Sequence, residues 1–110
     1  MIVSTLVLSL SEADRGKVVT SLLTLLRTTR SQAGCQRCAL LLDVEDPHAI
    51  VVWEEWESKA HLDRHLRSEG YDAVLAAIEC SEVPPHIRFD TVTASAGIEM
   101  VEAARRPRSA

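Results

Sequence analysis

Glu54, Trp56, His65 and Tyr71 place a carboxylate, an indole, an imidazole and a phenol within one short stretch of the chain. Glu54 and Trp56 stand two apart at the end of the apolar run Val51-Val52-Trp53, so in a strand both point to the same side. His65 follows on a stretch with helical character that begins at Ser58. A site built there can grip a flat apolar ligand by stacking and address its polar atoms by hydrogen bonds. His65, as an imidazole, is the natural group to accept or return a proton. Trp56 can donate its indole N–H and Tyr71 its hydroxyl, while Glu54 can orient His65 or a water. Arg88, on the last predicted strand, is a candidate to stabilise developing negative charge. Each residue also has a purely structural reading. Trp56 can pack helix against sheet, His65 can bond a strand carbonyl or Glu54, Tyr71 can anchor with a wet hydroxyl, and Glu54 can serve as a partner for the helix.

Two further constellations carry less. Glu57, His61 and His65 fall at i, i+4 and i+8, one helix face with the look of a metal site. Eight residues of helix span about 12 Å, too far for one ion, so no metal is expected. Cys35-Gln36-Arg37-Cys38 has the C-x-x-C form, but no second pair exists to complete a zinc site. The pair enters an apolar strand rather than a strand-to-helix junction, and residues three apart in a regular strand face opposite sides. Structural cysteines are the expectation. His48 and His86 sit beside turns.

The elements that would position these groups follow from periodicity. Ile2 to Leu10 alternates, with Ile2, Leu6, Leu8 and Leu10 on one face and Val3, Thr5, Val7 and Ser9 on the other. Ser11 with Asp14 opens a helix predicted to run to about Thr29, buried through Val18, Val19, Leu22, Leu25 and Leu26. Gln32, Ala33 and Gly34 close it. A strand from about Arg37 to Val44, a turn at Asp46-Pro47-His48 and a strand from Ile50 to Glu57 make a hairpin. Ser58 caps the next helix, Gly70 interrupts it, and a short helix covers about Tyr71 to Ile78. Pro84-Pro85 leads into a last strand, about His86 to Ala94, with Ile87, Phe89 and Thr91 on one face. The order β-α-β-β-α-β is the split βαβ, ferredoxin-like pattern of an α+β protein with a four-stranded antiparallel sheet. One domain over residues 1–95 is expected, followed by a tail over 96–110 that is partly apolar and then carries Arg105, Arg106 and Arg108 as a solvated, mobile end.

The 110 residues are 46% apolar and 25% charged with a formal net charge of −4, which fits one globular domain and argues against a nucleic-acid partner. Ile2 to Leu10 is too short to span a bilayer, has no positive residue before it, and is followed by Glu12 and Asp14. A cytoplasmic protein without a membrane partner is expected. With helices on one sheet face, Val3, Val7, Val51, Trp53 and part of Cys38 to Leu42 are left on the other. An apolar patch of that size calls for a cover, most simply a second copy in a two-fold homodimer that the apolar tail could reach across.

The pattern resembles the antibiotic biosynthesis monooxygenase superfamily over roughly residues 2–94. The resemblance rests on the acid two residues before a tryptophan (Glu54, Trp56), a histidine nine residues later (His65), the Ser-x-x-aromatic step (Ser68, Tyr71), and Gly34-Cys35 before the second strand. It implies a dimeric α+β barrel. The haem-degrading branch places a histidine on the short helix and an asparagine on the first strand. Residues 71–77 and the first strand contain neither. The resemblance therefore points to the cofactor-independent branch, which oxidises quinol- or anthrone-like aromatics with O₂. There His65, Trp56 and Tyr71 would be catalytic, and the small aromatic substrate itself would supply the electrons. The alternatives are a non-catalytic homodimeric binding or sensor protein using the same pocket, and an interaction module with no small-molecule site.

Overall fold

The computed structural model describes residues 1–107; the solvated end expected at Arg108, Ser109 and Ala110 lies outside the described residues. The alternating first segment forms β1 (Ile2–Ser9), and Ser11 caps α1 (Glu12–Thr29) by accepting the Asp14 N–H at 3.2 Å. Then follow β2 (Cys35–Leu42), β3 (Ala49–Trp56), α2 (Lys59–Leu66), a 3-10 turn (Glu69–Tyr71), α3 (Asp72–Glu79), β4 (His86–Thr91) and α4 (Ile98–Arg105). The sheet has the order β2-β3-β1-β4 with every neighbouring pair antiparallel. This is the predicted ferredoxin-like α+β fold.

The period-two pattern decides which side of the sheet is covered. Leu6 and Leu8 of β1 pair with Val52 and Ile50 of β3, and all four are buried under Val18 and Leu22 of α1 and Val74 and Ala77 of α3. Each such side chain contributes about 1.5–3 kcal/mol by leaving water. Thr29, buried at the end of α1, returns its hydroxyl to the Leu25 carbonyl at 2.9 Å, so its burial leaves no orphan donor. On the other side of the sheet, Val7 lies opposite Val51 and Leu41 beside it, while Trp53 sits between Thr5 and Ala39. Among the described residues no helix covers this face.

The strand ends differ from those predicted, for local reasons. The second strand begins at Cys35 and stops at Leu42 rather than running from Arg37 to Val44. Asp43 accepts the Glu45 N–H at 2.8 Å and Asp46 accepts that of His48 at 3.0 Å. These side chains turn the chain early, leaving Val44 99% exposed. The last strand ends at Thr91 instead of Ala94. A bulge at Gln36 lets Cys35 pair with Trp56 and Cys38 with Glu54. The extra residue therefore brings both cysteines to the helix-covered face, against the expectation that they oppose each other.

Beyond residue 95, where no element is predicted, α4 forms with its Glu99 side chain accepting the Gly97 N–H at 2.7 Å. Every residue from Thr93 to Pro107 is exposed. The radius of gyration, 16.9 Å, exceeds the roughly 13 Å of a compact chain of this length, because this arm stands away from the body.

Candidate functional site

Alternation along β3 sends Ile50, Val52, Glu54 and Trp56 beneath the helices. Glu54 and Trp56 thus enter the interior side by side. The fork of the Glu54 carboxylate is divided between two donors: Trp56 Nε1–H reaches Oε1 at 3.1 Å, and His65 Nε2 meets Oε2 at 3.1 Å. Glu54 is 4% exposed, His65 1% and Trp56 0%. A carboxylate this deep is costly unless each oxygen has a partner, and here each does.

His65 comes from α2, whose start is set by Ser58 accepting the His61 N–H at 3.3 Å. Its ring stacks on Trp56 with centroids 4.7 Å apart and planes inclined by 29°. Tyr71 meets it edge-on at 5.3 Å and 82°. The Ser68 hydroxyl donates to the His65 carbonyl at 2.6 Å, tying the end of α2 to the 3-10 turn that carries Tyr71. Burial, aided by the charge of Glu54, pushes the Tyr71 hydroxyl pKa upward, so it stays a proton donor at neutral pH.

The other ring nitrogen, His65 Nδ1, lies 2.9 Å from Gln32 Oε1. With Nε2–H committed to Glu54, Nδ1 is where the imidazole gains or loses a proton. Gln32 serves both states, since its amide presents the oxygen to an imidazolium or, rotated, the NH₂ to a neutral ring. Gln32 and His65 also line one cavity of about 240 Å³ together with Ala33, His61, Arg64 and Ser68. A buried carboxylate–imidazole pair whose other nitrogen is held by an amide that can turn aside is an arrangement suited to proton abstraction.

The structure thus brings Glu54, Trp56, His65 and Tyr71 together. It does not bring Arg88 to them. Ile87 and Phe89 share the helix-covered side with Leu6 and Ser4, so alternation sends Arg88 to the opposite face, beside Thr5. There it is exposed and bonds Asp90 at 2.9 Å. The expected contribution of Arg88 to charge stabilisation in this cluster is therefore corrected by the register of β4.

Gln32, which sequence patterning assigns only to a helix end, and Arg64 are the members that the sequence does not single out. The only trace of Gln32 is its place two residues before Gly34, whose φ of +83° turns the chain back beneath α2. His61 Nδ1 lies 2.7 Å from Ser58 Oγ. Among the described residues no group of His, Cys, Asp and Glu side chains is placed to hold a metal ion. The three cysteines are free. Burial, then the charges of Glu54 and Cys35, push the Cys38 thiol up to about 12, which leaves it protonated and unreactive at neutral pH.

No curated protein matches the sequence. Among solved structures, an antibiotic biosynthesis monooxygenase superposes with a TM-score of 0.77 at 21% identity, covering 86% of this chain and 100% of its own. A candidate antibiotic biosynthesis monooxygenase from Deinococcus radiodurans gives 0.81 at 20% identity, covering 89% of this chain and 98% of its own. A conserved protein from Methanosarcina mazei Go1 gives 0.76 at 20%, covering 81% and 89%. At such identities the likeness speaks for the fold. The family model of antibiotic biosynthesis monooxygenases matches residues 1–77, from β1 into α3 and across Gln32, Glu54, Trp56, His65 and Tyr71. The chain belongs to the antibiotic biosynthesis monooxygenase family.

Proposed function

We propose that this protein is a cofactor-independent monooxygenase that oxidises a quinol- or anthrone-like aromatic with O₂, working as a homodimer. The observation that carries the reading is the Glu54–His65 pair, 3.1 Å apart and buried, with the other ring nitrogen on Gln32, which lines the cavity together with His65. When the Gln32 amide gives way to the substrate, His65 Nδ1 takes the phenolic proton, and Glu54 balances the imidazolium that forms. The resulting anion is electron-rich enough to reduce O₂ itself. For a quinol the stoichiometry closes as quinol plus O₂ giving hydroxyquinone plus water: the ring gains one oxygen and loses two hydrogens. The cavity, about 240 Å³, is smaller than the roughly 300–1,000 Å³ of sites for drug-sized ligands, which favours one- or two-ring quinols over tricyclic anthrones.

The homodimer completes the proposal because the uncovered sheet face is apolar at Val7, Val51, Trp53 and Leu41. A face of this kind is stable in water when a second copy covers it.

A second reading, a homodimeric binding or sensor protein for small aromatics, is favoured by a specific feature of the same cluster. Trp56 has no exposed surface, and both nitrogens of His65 already have partners. Oxygen uptake by metal-stripped protein with a panel of quinols, autoxidation subtracted, separates the two. Protein-dependent uptake that falls by about a hundredfold or more in folded His65→Ala supports the oxygenase. Saturable binding of the aromatics without uptake supports the binding protein.

A further inference from the structure

The cavity beside His65 has a charge character that the Glu54–His65–Trp56 cluster does not require. Among its lining residues Arg64 carries a fixed positive charge, His61 and His65 add imidazoles, and none is acidic, although acids outnumber Lys and Arg in the chain by 16 to 12. The neighbouring carboxylates are turned elsewhere. Asp63 is held by Lys59 at 2.8 Å, and both line a separate cleft beside Leu62 and Phe89. Glu54 uses its two oxygens on Trp56 and His65. Arg64 makes no ion pair among the described residues.

His61 is fixed rather than loosely placed. Gly34 leaves room for its ring, since a Cβ there would lie 2.3 Å from His61 Cγ. Ser58 Oγ accepts the His61 N–H at 3.3 Å and lies 2.7 Å from its Nδ1. With Nδ1 engaged by Ser58, Nε2 is the ring nitrogen left for a ligand. His61 and Arg64 line the same cavity, and an imidazole N–H together with a guanidinium is a pair of donors that suits an oxyanion.

We infer that His61 and Arg64 form an anion-recognition pair, and that the ligand of this cavity is an aromatic bearing an oxyanion, either a ring carboxylate or a phenolate. The inference rests on the same cavity as the proposed function but does not depend on turnover. Calorimetric titration of the whole protein with three redox-inert probes tests it: 3-hydroxybenzoate, the neutral and similarly sized 3-hydroxybenzyl alcohol, and 4-nitrophenolate. At least one anion is expected to bind about tenfold or more tightly than the alcohol, and whichever does identifies the source of the charge. Arg64→Gln, at an exposed position that carries no part of the core, and His61→Leu are each expected to remove most of that preference. Equal binding of anions and alcohol, a preference that survives both replacements together, or no binding at all would overturn the inference. Anion binding without oxygen uptake from any quinol would leave it standing and sink the monooxygenase reading instead.

Discussion

Glu54 determines which nitrogen of His65 is basic. As a carboxylate it only accepts, so Nε2 must carry a proton and Nδ1 is left to face Gln32. Glu54→Gln reverses this at almost constant shape. The amide oxygen can still accept from Trp56, but its NH₂ then meets His65 Nε2, which must become the acceptor. The ring proton moves to Nδ1 and donates to Gln32 Oε1, so no base is left at the cavity. The expected outcome is a folded variant whose quinol-dependent oxygen uptake drops by about 10²–10⁴ with KM little changed. Unchanged turnover would show that the tautomer does not matter. The pairing itself was half visible in the sequence: two residues in a strand share a face, so Glu54 and Trp56 had to enter the core together. That His65 would complete the set was carried by the family resemblance rather than by spacing. Arg88 was legible too, since its position between Ile87 and Phe89 already puts it on the opposite face.

At the scale of elements, the helix caps and the strand alternation follow from local chemistry and match the structure closely. Ser11 and Ser58 each accept the backbone N–H three residues on, as their positions before apolar-periodic stretches predict. Ser58 has a second task, since its hydroxyl also holds His61 Nδ1. Ser58→Ala is therefore expected to cost about 1 kcal/mol of stability from the lost cap, read by urea unfolding, and to loosen anion binding without altering the Glu54–His65 pair. Normal anion affinity in a variant destabilised to that extent would separate the cap from the His61 contact. The bulge at Gln36 lay beyond periodicity. It depends on where β3 presents Trp56 and Glu54 to its neighbour, so the common face of Cys35 and Cys38 arises from pairing across strands.

For the whole molecule, the proposed homodimer would occupy both the uncovered sheet face and the extended arm. An isolated helix of 8 residues is marginal in water, where about 12–15 residues are needed even with favourable composition. Ile98, Met100 and Val101 of α4 are all exposed, and the second chain of the proposed homodimer would cover them. Sedimentation equilibrium is expected to give twice the monomer mass. Trp53→Lys, in the middle of the open face, is expected to yield a folded monomer, whereas removal of residues 93–110 should weaken the dimer by about tenfold or more at the loss of a few buried apolar side chains. A monomeric wild type at micromolar concentration would remove the dimer from the proposal.

By itself, the sequence determined the order of elements as far as the last strand, the covered and uncovered sheet faces, the two serine caps and the inward direction of Glu54 and Trp56. These follow from backbone geometry and from periods of two and 3.6 residues, which act over neighbouring positions. Only the tertiary structure decided that Gln32 would meet His65 across 33 residues of chain, that Gly34 would make room for the His61 ring, and that His61 and Arg64 would share a wall with them. Those contacts depend on how the end of α1, the turn after it and α2 are laid over β3, and no local preference encodes that placement.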